Sequence, residues 1–168
     1  MSTVHVITAT RHGSTAEIGE KIARRLREHG LVAVTEDAEH AVLAPGEPIV
    51  LGSPIYMGKW LKSARAIADQ LAAEPAGRPV WVFTVGPLGD PPQPADAGPE
   101  GRVAAFAVER ARSRPVFRGK LDRAALSRHE RLAVRAVKAP DGDFREWDCI
   151  DAWADEIAAA LDGVAVGG

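Results

Sequence analysis

Hydroxyls at Thr10, Ser14 and Thr15 surround Arg11, His12 and Gly13 in the stretch Thr8–Thr15, T-A-T-R-H-G-S-T. An apolar run, Val4-His5-Val6-Ile7, precedes it. Apolar residues at helical spacing, Ile18, Ile22, Ala23 and Leu26, follow it. A turn between a strand and a helix start gathers free backbone N–H groups and the positive end of a helix dipole into one small volume. That volume suits an anion, a phosphate above all. The lysine-bearing pattern G-x-x-x-x-G-K-S/T is absent, which argues against a nucleotide triphosphatase, and so is the G-x-G-x-x-G of dinucleotide binders. What remains is a neutral cradle for a monophosphate, with a ligand-free Ser/Thr-rich helix cap as the alternative.

Two further stretches could complete such a site. Gly52–Gly58 follows an apolar run and offers Ser53, Pro54, Ile55, Tyr56, Met57 and Gly58. Tyr56, lying in a loop between two glycines, suits contact with a flat apolar ligand. Trp60 reads instead as the start of the next helix's core face. The third stretch, Val85, Gly86, Pro87, Leu88, Gly89 and Asp90, carries little side-chain chemistry and would present backbone groups to a polar ring edge.

The elements that must position these loops follow from periodicity. Strands are expected at Val4–Ile7, Leu31–Thr35, Pro48–Leu51, Pro79–Val85 and Arg114–Phe117. Helices are expected at Ala16–His29, Lys59–Ala73, Glu100–Ser113, Arg123–Val137 and Glu146–Leu161, with at most a helical turn in Glu36–Gly46. Pro79–Val85 is continuously apolar, as in a strand buried on both faces. Strands alternating with helices imply a parallel sheet with right-handed crossovers, and five of them fit a doubly wound sheet of order 2-1-3-4-5. Ligands of such sheets lie beyond the carboxyl ends of the strands, at the switch point. All three loops fall there.

The 168 residues make one domain, residues 1–162, with a frayed tail over 163–168. The formal net charge of −2 draws the chain toward neither nucleic acid nor membrane. Charge is unevenly spread: residues 101–138 hold 11 Lys/Arg against 3 Asp/Glu, and residues 139–162 hold 1 against 8. Cys149, the single cysteine, excludes an intrachain disulfide and is expected in the core beside Trp147, Ile150 and Trp153. No signal pattern and no window near the ~20 apolar residues of a membrane span are present, so a soluble, cytoplasmic protein is expected.

The runs T-R-H-G-S-T-A-E-I-G-E-K-I-A and I-V-L-G-S-P-I-Y-M-G-K-W resemble the flavodoxin-like FMN-binding proteins. Among them the chain is most similar to the branch of the bacterial quinone-linked, menaquinone-dependent protoporphyrinogen dehydrogenase. That branch shares a T-R-x-G-x-T loop and extra sequence before the last helix, here Gly119–Phe144. The resemblance covers nearly the whole chain and implies a flavodoxin-like three-layer α/β sandwich with FMN as cofactor. It implies that Thr10, Ser14 and Thr15, with the backbone of Arg11 to Gly13, hold the phosphate. Ser53 to Gly58 would border the ribityl chain and one side of the ring, and Val85 to Asp90 its polar edge. Chemistry would belong to the flavin, with electron or hydride transfer to a redox partner or a small flat organic substrate, protoporphyrinogen included. A homodimer stays open. The near-neutral charge departs from the acidic electron carriers, and the soluble Arg123–Val137 departs from the apolar insert of the dehydrogenase.

Two other functions compete. Arg11-His12-Gly13 after a strand is also the opening signature of histidine phosphatases, which need a second histidine after a later strand. His5, His29, His40 and His129 do not occupy such a turn. A non-catalytic module with an empty flavin site is the third.

Overall fold

A computed structural model describes residues 2–56, 59–86, 110–121, 128, 142–143 and 145–166. The chain opens with β1 (Thr3–Thr8), α1 (Ser14–Glu28), β2 (Val32–Asp37) and β3 (Ile49–Tyr56). A two-residue strand β4 (Lys59–Trp60), helix α2 (Lys62–Ala73) and strand β5 (Val80–Gly86) follow. Then come β6 (Val116–Arg118), β7 (Lys120–Leu121), β8 (Gly142–Asp143) and the terminal helix α3 (Trp147–Val166). The main sheet runs β2-β1-β3-β5-β6, every pair parallel, with β4 attached antiparallel to β3. Setting β4 aside, this is the expected order 2-1-3-4-5.

Two apolar layers cover the sheet. On one face Val4, Val6, Val50, Phe83 and Phe117 meet Ile18, Ile22 and Leu26 of α1 and Ile150, Trp153 and Ile157 of α3. On the other, Ile7, Ile49, Leu51, Val80 and Val82 meet Trp60, Ala64, Ile67 and Leu71. Alternate residues of each strand enter opposite layers, as the pleat requires. Every residue of β5 is buried, which accounts for its unbroken apolar sequence. Phe83, Phe117 and Trp153 form an aromatic triangle with centroids 5.7–6.0 Å apart.

Several expected boundaries shift, each for a local reason. Gly52–Tyr56 is not a loop: β3 continues through it. Gly52, Ser53 and Pro54 pair with Phe83, Thr84 and Val85, and then Ile55 and Tyr56 turn to pair with Trp60 and Lys59. Pro54 is tolerated because of where its missing N–H would point. The Gly52 carbonyl accepts from Ala9 N–H on the β1 side, so the even-numbered groups face β1. The β1–β3 pairing ends at Thr8 and Gly52, so no partner is lost at Pro54. Trp60 therefore belongs to a hairpin, and α2 starts only at Lys62.

The helix expected to reach Ser113 has ended by Ala111, because Arg112 N–H, Ser113 O and Pro115 O bond along β5. Met57, Gly58, Pro87, Leu88, Gly89 and Asp90, the helix Arg123–Val137 and most of Glu100–Ser113 lie outside the described residues. Helix α3 runs to Val166, past the expected end at Leu161; a Cβ at Gly163 would meet nothing within 4 Å, and its φ lies outside the left-handed region. Cys149 is exposed, not in the core. Its helical stripe continues through Ala152 and Glu156, both exposed, whereas Ile150, Trp153, Ala154 and Ile157 form the buried stripe.

Candidate functional site

The carboxyl end of the sheet gathers the polar part of the interior. Among the described residues the buried polar side chains are Thr8, Thr15, Ser53 and Thr84. Thr8 closes β1, Thr15 is in the first turn of α1, and Ser53 and Thr84 are register partners on β3 and β5.

The first loop is held from both sides. Ala9 N–H donates to Gly52 O at 2.9 Å, and Ala38 N–H donates to Thr8 O at 3.0 Å. Thr10 Oγ1 accepts from Gly13 N–H at 2.9 Å, closing the turn over Arg11 and His12. Gly13 is the N-cap of α1 and lies at φ +87, where a side chain would be strained. A Cβ there would meet nothing within 4 Å, so the space beside the helix start is open. Gly13 has no side chain with which to accept from the first-turn N–H groups, and among the described residues the cap makes no side-chain hydrogen bond. These N–H groups are what a helix start offers an anion. The geometry fits a phosphate with no further group.

Glu17, in the same first turn, would repel an anion. It is ion-paired to Arg145, whose guanidinium also donates to Asp143 at 2.7 and 2.9 Å. Arg145 is almost fully buried and stacks 4.5 Å over the Trp147 ring. Its hydrogen bonds hold the Asp143 carboxyl down at about 2, against a smaller opposing effect of burial. The two-stranded β7–β8 sheet at the root of the 122–141 segment is thereby tied to the start of α1.

The second stretch is a platform. Ser53 is fully buried; its hydroxyl donates to Pro54 O at 2.9 Å and accepts from Leu61 N–H at 3.1 Å. Trp60 is buried in the layer expected from sequence and donates from Nε1 to Thr84 Oγ1 at 3.1 Å. These bonds join the β3–β4 hairpin to α2 and to β5. Pro54, Ile55 and Tyr56 remain half-buried along the hairpin. The Arg11 guanidinium lies over the Tyr56 ring, 4.1 Å from its centroid, so the first loop and the platform touch. Val85 and Gly86 end β5 beside Pro54.

Of the residues singled out from sequence, Thr10 to Thr15, Ser53 to Tyr56, and Val85 and Gly86 therefore meet at one end of the sheet. The Trp60–Thr84 bond, the Ser53–Leu61 bond and the Arg145 node were not foreseen. They join residues 24, 8 and 128 positions apart, and the small polar types at Ser53 and Thr84, inside apolar runs, signalled only the first two. Of the other histidines, His5 lies between Glu36 and Glu47, and His29 is bonded to Asp155 at 2.6 Å. Among the described residues no cluster of side chains could hold a metal ion, and no helix is long and apolar enough to cross a membrane.

A doubly wound parallel sheet with an anion-ready turn at its switch point defines a class of open-sheet α/β proteins. Residues 5–148 match the family model described as Flavodoxin domain, and the chain belongs to that family. The fold is shared with the Streptococcus pneumonia TIGR4 flavodoxin at TM-score 0.64 and 15% identity, covering 95% of this chain and 99% of that one. It is shared with the rubredoxin oxygen:oxidoreductase of Desulfovibrio gigas at TM-score 0.65 and 13% identity, covering 97% of this chain but only 37% of that larger one. A Fusobacterium nucleatum flavodoxin mutant, K13G, bound to flavin mononucleotide, is similar at TM-score 0.50 and 18% identity over 68% of each chain. No curated protein matches the sequence.

Proposed function

We propose that this chain binds FMN at the carboxyl ends of β1, β3 and β5 and serves flavin-mediated electron or hydride transfer. The observation that carries the proposal is the start of α1. Gly13 caps it without a side chain, beside open space, within a loop rich in hydroxyls. Backbone N–H groups from Ser14 onward, with the Ser14 and Thr15 hydroxyls, would hold the phosphate, and the Gly13–Thr10 bond would keep the turn closed. The hairpin of Pro54, Ile55 and Tyr56 would border the ring, held by Ser53 and by the Trp60–Thr84 bond. Val85 and Gly86, continuing into Pro87–Asp90, would present backbone groups to its polar edge. Bound flavin supplies the redox chemistry itself, so the chain needs no acid–base pair of its own. The partner is a redox protein or a small flat organic molecule; the T-R-x-G-x-T loop and the insert put protoporphyrinogen and quinones on the list to be screened.

The test is direct. The purified chain should be yellow, or become so with FMN, and release a chromophore with the mass of FMN. At about 100 times Kd, FMN should stabilise the fold by about 2.7 kcal/mol. For a chain of this size that raises Tm by about 5–11 °C. A colourless protein that FMN neither colours nor stabilises would refute the proposal and leave a flavin-free interaction module.

A further inference from the structure

We propose that Arg145 is a positioning residue for the flavin phosphate. By pairing with Glu17 it cancels the one negative charge in the first turn of α1, and so lets that helix start take the anion. The inference rests on the FMN proposal and deepens it, because it extends the phosphate site to the root of the 122–141 segment.

Helix geometry is the first argument. Glu17 N–H donates to Gly13 O at 3.1 Å, so the two residues stand one turn apart. Residues so spaced share a face, and helical side chains tilt toward the N-terminus. Glu17 therefore belongs to the face of α1 that carries the open space beside Gly13. It is the only acidic residue of the first turn. A phosphate monoester carries about two negative charges at neutral pH, and a bare carboxylate so close would oppose it. A lysine one turn further along is the usual partner of such a glutamate. Lys21 has that position, but it pairs with Asp151 of α3 at 2.9 Å. Glu17 pairs with Arg145 instead.

Arg145 is held for this task. Its side chain is only 6% exposed, whereas that of Glu17 is 59% exposed. Two bonds to Asp143 and the stack on Trp147 fix the guanidinium before it meets Glu17. A planar, always charged fork locked in this way holds a mobile carboxylate better than a solvated lysine would. Asp143 does not leave the node short of positive charge. Its partner across the β7–β8 ladder is Lys120, which also acts to keep Asp143 ionised. Glu17 and Asp143 are thus balanced by Arg145 and Lys120, and the helix start keeps its own positive end for the anion.

The experiment titrates FMN and riboflavin, by fluorescence quenching, into the full chain, Arg145→Gln, Glu17→Gln and the double variant. Riboflavin lacks the phosphate and so reports the ring contacts and the soundness of the fold. Arg145→Gln should lose about three- to tenfold in FMN affinity while its riboflavin affinity holds. Adding Glu17→Gln should restore most of the FMN affinity, and raising salt should shrink the loss in Arg145→Gln. Glu17→Gln alone should bind FMN at least as tightly as wild type. Should Arg145→Gln not fold, Asp143→Asn/Arg145→Met, which strands no charge in the ladder, reads the same comparison. Equal losses for FMN and riboflavin, no loss for FMN, or no rescue by Glu17→Gln would overturn the role of Arg145 while leaving FMN binding by the wild type standing. Failure of the wild type to take up FMN would instead overturn the cofactor proposal, and this one with it.

Discussion

Replacing Gly52 by alanine adds one methyl group at the most crowded point of the β3–β5 contact. A Cβ built there lies 2.0 Å from Phe83 Cζ, 2.2 Å from Cε1 and 2.6 Å from Cε2. Carbon atoms rest about 3.5–4.0 Å apart, so the ring must retreat by roughly 1.5 Å. It cannot do so by flipping, because Cζ lies on the axis of that rotation. Retreat through χ1 or the backbone is opposed by Phe117 and Trp153, whose ring centroids stand 6.0 and 5.9 Å away. Overpacking of this kind costs about 1–3 kcal/mol, and a contact this short belongs at the upper end. The less flexible unfolded chain returns about 0.4–1 kcal/mol. The net loss is about 2–3 kcal/mol, or a Tm drop of about 4–12 °C. Thermal and urea melts measure it. Phe83→Leu in the same chain should relieve the clash, so the double variant should be less destabilised than the sum by about 1 kcal/mol or more. A Gly52→Ala variant melting within about 2 °C of wild type, or strict additivity in the double variant, would refute the crowding argument.

Two further outcomes are expected. Ser53→Ala leaves the Leu61 N–H without its acceptor and frees the hairpin from α2; for this part-buried donor the cost is about 1 kcal/mol, read in the melting temperature, with faster amide exchange at Leu61. Burial of His5 opposes its charge, but the Glu36 and Glu47 carboxylates together outweigh it and raise its pKa above 6.5. Its stabilisation is full below 6.5 and is lost as pH rises through the raised folded value. Contact with His5 lowers the Glu47 pKa from 4.5, so that contribution is present above 4.5 and fades as pH falls below it. His5→Gln should flatten the decline in urea-melt stability above pH 6.5; an unchanged pH profile would rule this out.

The sheet and its strand order were legible because Val4–Ile7 and Pro79–Val85 are apolar runs with no competing signal, and Gly13 and Gly30 mark the ends of α1. What was illegible is pairing. Gly-Ser-Pro at 52–54 has the composition of a turn, and only the neighbouring Phe83–Val85 makes it strand. Trp60 was rightly placed in the core but in the wrong element, since a two-residue hairpin strand has no periodicity to read. Cys149 was misplaced by its apolar neighbours in sequence, when the phase of the helix puts it one step round from Ile150. At the candidate site, residue types identified the loops, but the stack of Arg11 on Tyr56 and the tie from Arg145 to Glu17 join residues 45 and 128 positions apart.

The root of the 122–141 segment has an evolutionary consequence. Leu121 and Gly142 are opposed partners in the β7–β8 ladder, so the segment leaves and re-enters the domain at adjacent points. Chain length between two adjacent points affects closure entropy only logarithmically. Residues can be gained or lost there without moving β6 or α3, and Arg145 anchors the re-entry to α1 whatever the length. Relatives of this chain can therefore diverge in this one segment, acquiring new partners, while the sheet and the loops at its carboxyl end stay under separate selection.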